Sequence, residues 1–203
     1  IRVWGIQPYK NTREDETYIR CPNEHDLIME FMSFWTKNYP DVITGWNTDF
    51  FDIPYLANRI KQVCGEDKMR ELSPWKNVSS KQIYSMGRNH LMYDIMGVSQ
   101  YDYLQLYQKF TYTRQESYKL DYIASVELGE KKDENPYETF REWYENDFQS
   151  FIDYNIQDVE IVDKLEDKMG LIDLALTMAY EGKVNYSDVF GQVKYWDILI
   201  YNF

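Results

Sequence analysis

Two aspartates stand where an acid is out of place, and both suit hard-oxygen chemistry. Asp52 lies in Phe50-Phe51-Asp52-Ile53-Pro54-Tyr55, after a short apolar run and before a helical one. A carboxylate at the carboxyl end of a strand opens into the crevice in which α/β sheets bind ligands. The same place suits a helix cap, because Asp favours the cap and Pro the first turn. Asp158 is the second. At roughly 100° per residue, Phe148, Phe151, Tyr154, Asp158, Val162 and Leu165 share one helix face, with Asp158 in the middle of the apolar stripe. A carboxylate there needs a proton, backbone or Arg donors, or a cation. Tyr154 is one turn earlier, so its hydroxyl and the carboxylate can face one point. A metal with a bound water would satisfy both, and two such carboxylates suggest metal-assisted phosphoryl chemistry. In that chemistry two divalent ions about 3.5–4 Å apart activate the attacking water and stabilise the leaving oxygen. Mg²⁺ and Mn²⁺ are hard ions that prefer oxygen ligands.

Other chemistries find little support. His25 falls in a helix's first turn and His90 in a hairpin, and both read as solvated. No P-loop, dinucleotide fingerprint or nucleophile elbow is present. Cys21 and Cys64 lack metal spacing and are too few for a disulfide framework, so both read as reduced, packed thiols.

The elements that must position these acids follow from the pattern. Ile1 to Ile6 is strand-like, followed by a polar loop from Asn11 to Thr17. Asn23 is set to cap a helix whose stripe is Leu27, Ile28, Phe31, Phe34 and Trp35, ended by Pro40. Val42 to Trp46 reads as a buried strand and about 54–63 as a helix. Residues 65–80 read as loop, and about 81–95 as a β-hairpin centred on Gly87-Arg88-Asn89. Val98 to Tyr101 is a strand leading into a helix with Leu104, Leu106, Tyr107 and Phe110. Leu120 to Leu128 is helical and Gly129 to Pro136 a charged loop. A long helix runs over about 147–168, with Gly170 as punctuation before Leu171 to Tyr180, and a last helix covers 193–202. Strand, helix, strand, helix is the rhythm of an α/β layer fold.

The chain has 203 residues, 44% of them hydrophobic and 17% aromatic, ample for a packed core in one domain. That excludes a disordered tail or a collagen-like repeat. With 34 acids against 22 bases the net charge is −12, which argues against a purely electrostatic duplex binder and suits metal binding or solubility. No apolar run approaches a membrane span and no signal peptide is visible, so no membrane partner and a cytoplasmic location are expected. Both ends read as interior sequence, as expected of a piece of a larger protein.

Ile43-Thr44-Gly45-Trp46-Asn47-Thr48-Asp49-Phe50-Phe51-Asp52-Ile53-Pro54-Tyr55 resembles the Exo II motif of family B DNA polymerases. Tyr154-Asn155-Ile156-Gln157-Asp158 resembles their Exo III motif, and the spacing between the two fits. Asp102 to Phe110, Ser117 to Ile123 and Lys194 to Asp197 are similar to the exonuclease domain of T-even-type phage polymerases. The resemblance covers essentially the whole chain. It implies a ribonuclease H-like α/β domain, a mixed sheet flanked by helices with a protruding β-hairpin, that removes 3′-terminal nucleotides from single-stranded or frayed primer DNA. Its implied cofactors are two divalent ions, Mg²⁺ or Mn²⁺. By position Asp52 and Asp158 would each help hold one ion, and Tyr154 would orient the attacking water. Asn47 would lie near the frayed strand, Phe51 offers a face for stacking, and Lys81, Arg88 and Asn89 of the hairpin could touch DNA. Core packing is expected of at least two among Trp46, Phe50 and Phe51.

One departure qualifies the resemblance. The family's Exo I motif is an Asp-x-Glu pair on the first strand of the sheet. Glu14-Asp15-Glu16 lies in a polar loop and is rejected as a substitute. The chain would therefore carry two of four site acids, lack the fold's first strand, and have little activity or metal affinity by itself. The rest of a polymerase, including the Exo I strand and the N-terminal and polymerase domains, is the implied partner. The alternatives are a binding scaffold of the same fold with both aspartates structural, a stand-alone nuclease acting on RNA or another nucleotide substrate, and one piece of a split polymerase.

Overall fold

The computed structural model describes residues 1–85, 87–130 and 136–201. The charged loop expected at 129–136 lies mostly outside them, as does Asn202. Among the described residues the strands form three two-stranded pairs. β1 (Arg2–Gly5) and β2 (Thr17–Arg20) are parallel, as are β3 (Val42–Gly45) and β6 (Ser99–Asp102). β4 (Val78–Ser85) and β5 (Arg88–Ile95) run antiparallel. The chain is therefore mixed α/β, and among the described residues the strands lie in three separate pairs.

Most elements fall where the pattern places them. α1 (Glu24–Lys37) opens on Asn23, whose side chain accepts from the Asp26 amide. α2 (Asp52–Cys64) follows β3, and a short α3 (Glu66–Arg70) stands where loop was expected. β4 starts earlier than the pattern suggests, and Arg88 and Asn89 pair with Ser85 and Tyr84 instead of forming the turn. β2 is assigned no element by the pattern, apart from Thr17 at the end of the expected loop, because four residues are too short for alternation to register. α4 (Tyr103–Phe110) and α5 (Leu120–Glu127) come next. They are followed by α6 (Phe140–Asn146), which the pattern misses, and the long α7 (Phe148–Met169). Gly170, at φ 60°, takes the left-handed turn into α8 (Leu171–Gly182), and α9 spans Gln192–Tyr201. None of the described helices is long and apolar enough to cross a membrane. Cys21 is buried and Cys64 half-buried, both as free thiols.

The packing explains where the site falls. Phe148, Ile152 and Ile156 of α7 pack on Val3 and Tyr18 of the β1–β2 pair. Farther along, Ile161, Val162 and Leu165 join Tyr101, Tyr103, Leu106 and Tyr107 from β6 and α4. A third core joins Ile28 and Met32 of α1, Ile60 of α2 and Ile95 of β5. α7 thus bridges two cores with somewhat different faces. Asp158 sits between them along the helix, half-buried, with its Oδ1 buried.

Candidate active site

β3 and β6 end side by side, with Gly45 opposite Asp102. Asp102 is 1% exposed, and its carboxylate organises everything that follows. Oδ1 accepts the amides of Asn47 (2.9 Å) and Leu104 (3.0 Å), and Oδ2 accepts that of Asp49 (3.3 Å). It therefore caps α4 and pins the 46–51 turn at once. Asn47 takes the left-handed conformation (φ 64°), which Asn tolerates better than most residues. The turn closes with Phe51 N–H on the Asn47 carbonyl (3.1 Å) and Ile53 N–H on that of Thr48 (3.0 Å).

This turn delivers Asp52 as the first residue of α2. The capping position is Phe51, and no side chain caps the helix. The reading of Asp52 as a helix cap is thereby overturned: its carboxyl is left for other work. Asp52 is exposed by surface area, yet enough protein surrounds its carboxyl to raise it. Burial raises its carboxyl above the ordinary range, with the charges of Asp102 and Asp158 adding to the rise and its own amide opposing it. The charge of Asp158 on α7 thus reaches the carboxyl of Asp52 on α2 as the smallest of these influences, and the Oδ1 of Asp158 is buried.

Tyr154, one turn before Asp158, is half-buried with its ring 4.8 Å from Trp143 and 6.0 Å from Phe140. A cavity of about 480 Å³ opens beside it, lined by Trp143, Asp147, Asp153 and Gln157 as well. Of the DNA candidates, Asn47 and Phe51 share the turn that carries Asp52, and Phe51 is 66% exposed. Trp46 packs on Tyr103 and Tyr107 and donates to the Tyr118 carbonyl (3.1 Å). Phe50 packs on His90, with ring centroids 4.7 Å apart. Packing thus claims two of the three aromatics. His90 is half-buried on Phe50, so the expectation that it is solvated is corrected; His25 is exposed. Arg88, Asn89 and Lys81 are exposed on the β4–β5 ladder.

Two acids of the site escaped the sequence reading. Asp102 carries the same signal as Asp52, a strand ending in Asp before a helix. Asp49 carries no such signal, and its isolation appears only in the fold. Asp49 is 5% exposed; Gln105 Nε2 donates to its Oδ2 (2.8 Å), and its buried Oδ1 accepts no hydrogen bond from any described residue. Burial first, then the charge of Asp102, pushes its carboxyl up to about 6, against the pull of Gln105 and Lys81. A carboxyl held near 6 instead of 3.8 binds its proton more tightly folded than unfolded. Its contribution is present in full below about pH 4 and is lost as pH rises through about 6, by roughly 3 kcal/mol at most. Urea denaturation at pH 4 and pH 7 is expected to show this loss, and Asp49→Asn to flatten it. An unchanged slope in the variant would remove Asp49 as its source.

Asp52 and Asp158 fit a hard divalent cation chemically: both offer oxygen, and a cation would relieve their mutual repulsion. Asp102 turns both of its oxygens to backbone amides. Among the described residues, no group of three or more His, Cys, Asp or Glu is arranged to hold a metal.

A family model described as DNA polymerase family B, exonuclease domain, matches residues 5–123, a span that holds Asp49, Asp52 and Asp102. The DNA-directed DNA polymerase of Escherichia phage RB69 is 40% identical over 187 residues, covering 91% of this chain and 20% of that protein. That of Enterobacteria phage T4 is 40% identical over 186 residues, with the same coverage of each chain. Both alignments are long enough that they must contain positions 52 and 158. The DNA polymerase delta catalytic subunit of Candida albicans is 36% identical over 118 residues, 55% of this chain and 11% of that protein. The chain spans about a fifth of the length of the phage relatives it matches.

Proposed function

Because this chain belongs to the exonuclease-domain family of family B DNA polymerases, we propose that it hydrolyses the 3′-terminal phosphodiester of single-stranded or frayed primer DNA as part of a larger polymerase. The observation that carries this reading is the placement of Asp52 at the start of α2, uncapped by any side chain and within reach of the charge of Asp158 of α7. Asp52 is presented by the turn that Asp102 pins, and Asp158 by the stretch of α7 between two cores. In this reading residues 1–203 form one ribonuclease H-like domain, with the β4–β5 ladder as its protruding hairpin.

Asp52 and Asp158 are the residues that would hold divalent metal, Mg²⁺ or Mn²⁺. When bound, the metal supplies an activated water and charge stabilisation at the leaving oxygen. The side chains do the rest. Tyr154 places a phenol hydroxyl one helical turn from Asp158, where it can accept or donate a hydrogen bond to the attacking water and orient it. Phe51 offers an exposed ring for a terminal base, worth roughly 1–3 kcal/mol in stacking. Asn47 lies in the same turn, and Lys81, Arg88 and Asn89 line the ladder for backbone contact. Two carboxylates make half of the family's acid set, so the reading assigns the other half to an Asp-x-Glu strand elsewhere in the polypeptide.

Substrate class is tested by digestion of matched DNA and RNA oligonucleotides, each labelled at the 3′ or the 5′ end. Early release of the 3′ label from DNA, with RNA cut far more slowly, is the expected result. Preference for RNA would favour a ribonuclease, because the 2′-hydroxyl is what separates the two substrates.

A further inference from the structure

Asp102 pins the turn that presents Asp52 from one side, through the Asn47 and Asp49 amides, while α2 itself has no side-chain cap. The β4–β5 ladder touches this region on both sides of Asp52. Two residues before it, the half-buried ring of Phe50 lies against His90 of β5, with centroids 4.7 Å apart and planes at 44°. Six residues after it, Asn58 Oδ1 accepts a 2.6 Å hydrogen bond from the hydroxyl of Tyr93, also on β5. Tyr93 is buried and anchored in the core that α2 shares with β5 through Ile60 and Ile95. On β4, Lys81 lies near enough to Asp49 for its charge to act on that carboxyl. The two contacts, a ring pair and a hydrogen bond, both come from β5, and the charge of Lys81 acts from β4; Val78↔Ile95 through Ser85↔Arg88 hold the two strands in register.

We propose that the β4–β5 ladder is a second support, beside Asp102, that fixes the carboxylate of Asp52, with His90 and Tyr93 as positioning residues acting through Phe50 and Asn58. The inference rests on the reading of Asp52 as a site acid. It adds that the ladder sets the geometry of that acid, whatever its exposed end touches. A displacement of the ladder moves Asp49, Phe50 and Asn58 together, and Asp52 lies between them. His90 is matched to the task because an aromatic ring against Phe50 is directional, whereas an aliphatic contact would let the turn slide.

Amide hydrogen exchange on the 203-residue chain reads the support without any need for activity. The amides of Phe51 and Ile53 are hydrogen-bonded within the turn and report it directly. His90→Ala is expected to speed their exchange about fivefold to tenfold, as loss of one aromatic pair allows. Amides of Leu165 and Ala175, in the other core, should keep their protection, and His90→Phe should restore the turn. Tyr93→Phe, which removes only the hydroxyl, should loosen Asn58 and its neighbours. Unchanged exchange at Phe51 and Ile53 in His90→Ala overturns the proposal, as does failure of His90→Phe to restore them. Equal acceleration throughout the chain also overturns it, since that is general destabilisation.

A second readout uses a polypeptide that also carries the Asp-x-Glu strand. There His90→Ala should lower kcat on single-stranded DNA about tenfold, the scale of a small misplacement, with KM nearly unchanged. Asp52→Ala is the control. If Asp52→Ala leaves digestion intact, the proposed function itself fails. If it silences digestion while His90→Ala matches the parent in exchange and kcat, only the support fails.

Discussion

Replacing Asp52 or Asp158 by alanine, in a polypeptide that also carries the Asp-x-Glu strand, is expected to slow Mg²⁺-dependent release of 3′-terminal nucleotides at least about a thousandfold. Metal-held charge is worth several kcal/mol in the transition state, and each 1.36 kcal/mol is tenfold in rate. The expectation has a second half that a structural role would not produce. Burial and like charge raise the carboxyl of Asp52, so its ionised form is held at a cost in the folded chain. Asp52→Asn should therefore leave stability unchanged or slightly higher while abolishing activity. Measured together by product release and by thermal denaturation, activity and stability should move apart. A variant that loses both in proportion would assign Asp52 to the scaffold.

Asp102→Ala should do the reverse. Asp102 is almost wholly buried and accepts from the amides of Asn47, Asp49 and Leu104. Its removal leaves two buried donors and a half-buried one without an acceptor; at about 1–3 kcal/mol for each buried donor, a loss of about 2–6 kcal/mol is expected. The cap of α4 and the 46–51 turn would fail together, and activity would fall with the fold. Asp102→Asn keeps one acceptor oxygen but turns an amide donor towards a donor, and so should recover part of the loss. Denaturant titration of the two variants checks the order. Equal stability of parent and Asp102→Ala would mean that water or rearrangement satisfies those amides, and that the turn does not depend on Asp102.

Much of this was legible in the residues themselves. The strand before Asp52, the helix after it and the periodicity around Asp158 locate both acids, because burial imposes period on side chains. The Exo II and Exo III stretches add the family. What the sequence does not carry is relation across the fold. Asp49 and Asp102 are ordinary acids until β3 and β6 lie side by side and close a turn between them. The bend in the buried face of α7 is likewise invisible, since periodicity assumes one partner and this helix has two. His90 reads as a solvated hairpin residue because a hairpin pattern does not say what packs beside it. β2 and α6 were missed for being short.

The central claim is that Asp52 and Asp158 form one half of a metal-assisted nuclease site. Its most direct test is release of a 3′ label from single-stranded DNA in Mg²⁺ or Mn²⁺. The assay compares the 203-residue chain with a version extended by a strand bearing Asp-x-Glu. The account predicts slow or no release by the chain alone, rapid release by the extended version, and silence when that version carries Asp158→Ala. Rapid trimming by the chain alone that survives Asp52→Ala would contradict it. So would an extended, folded version that does not cut, which would leave both aspartates with a structural role.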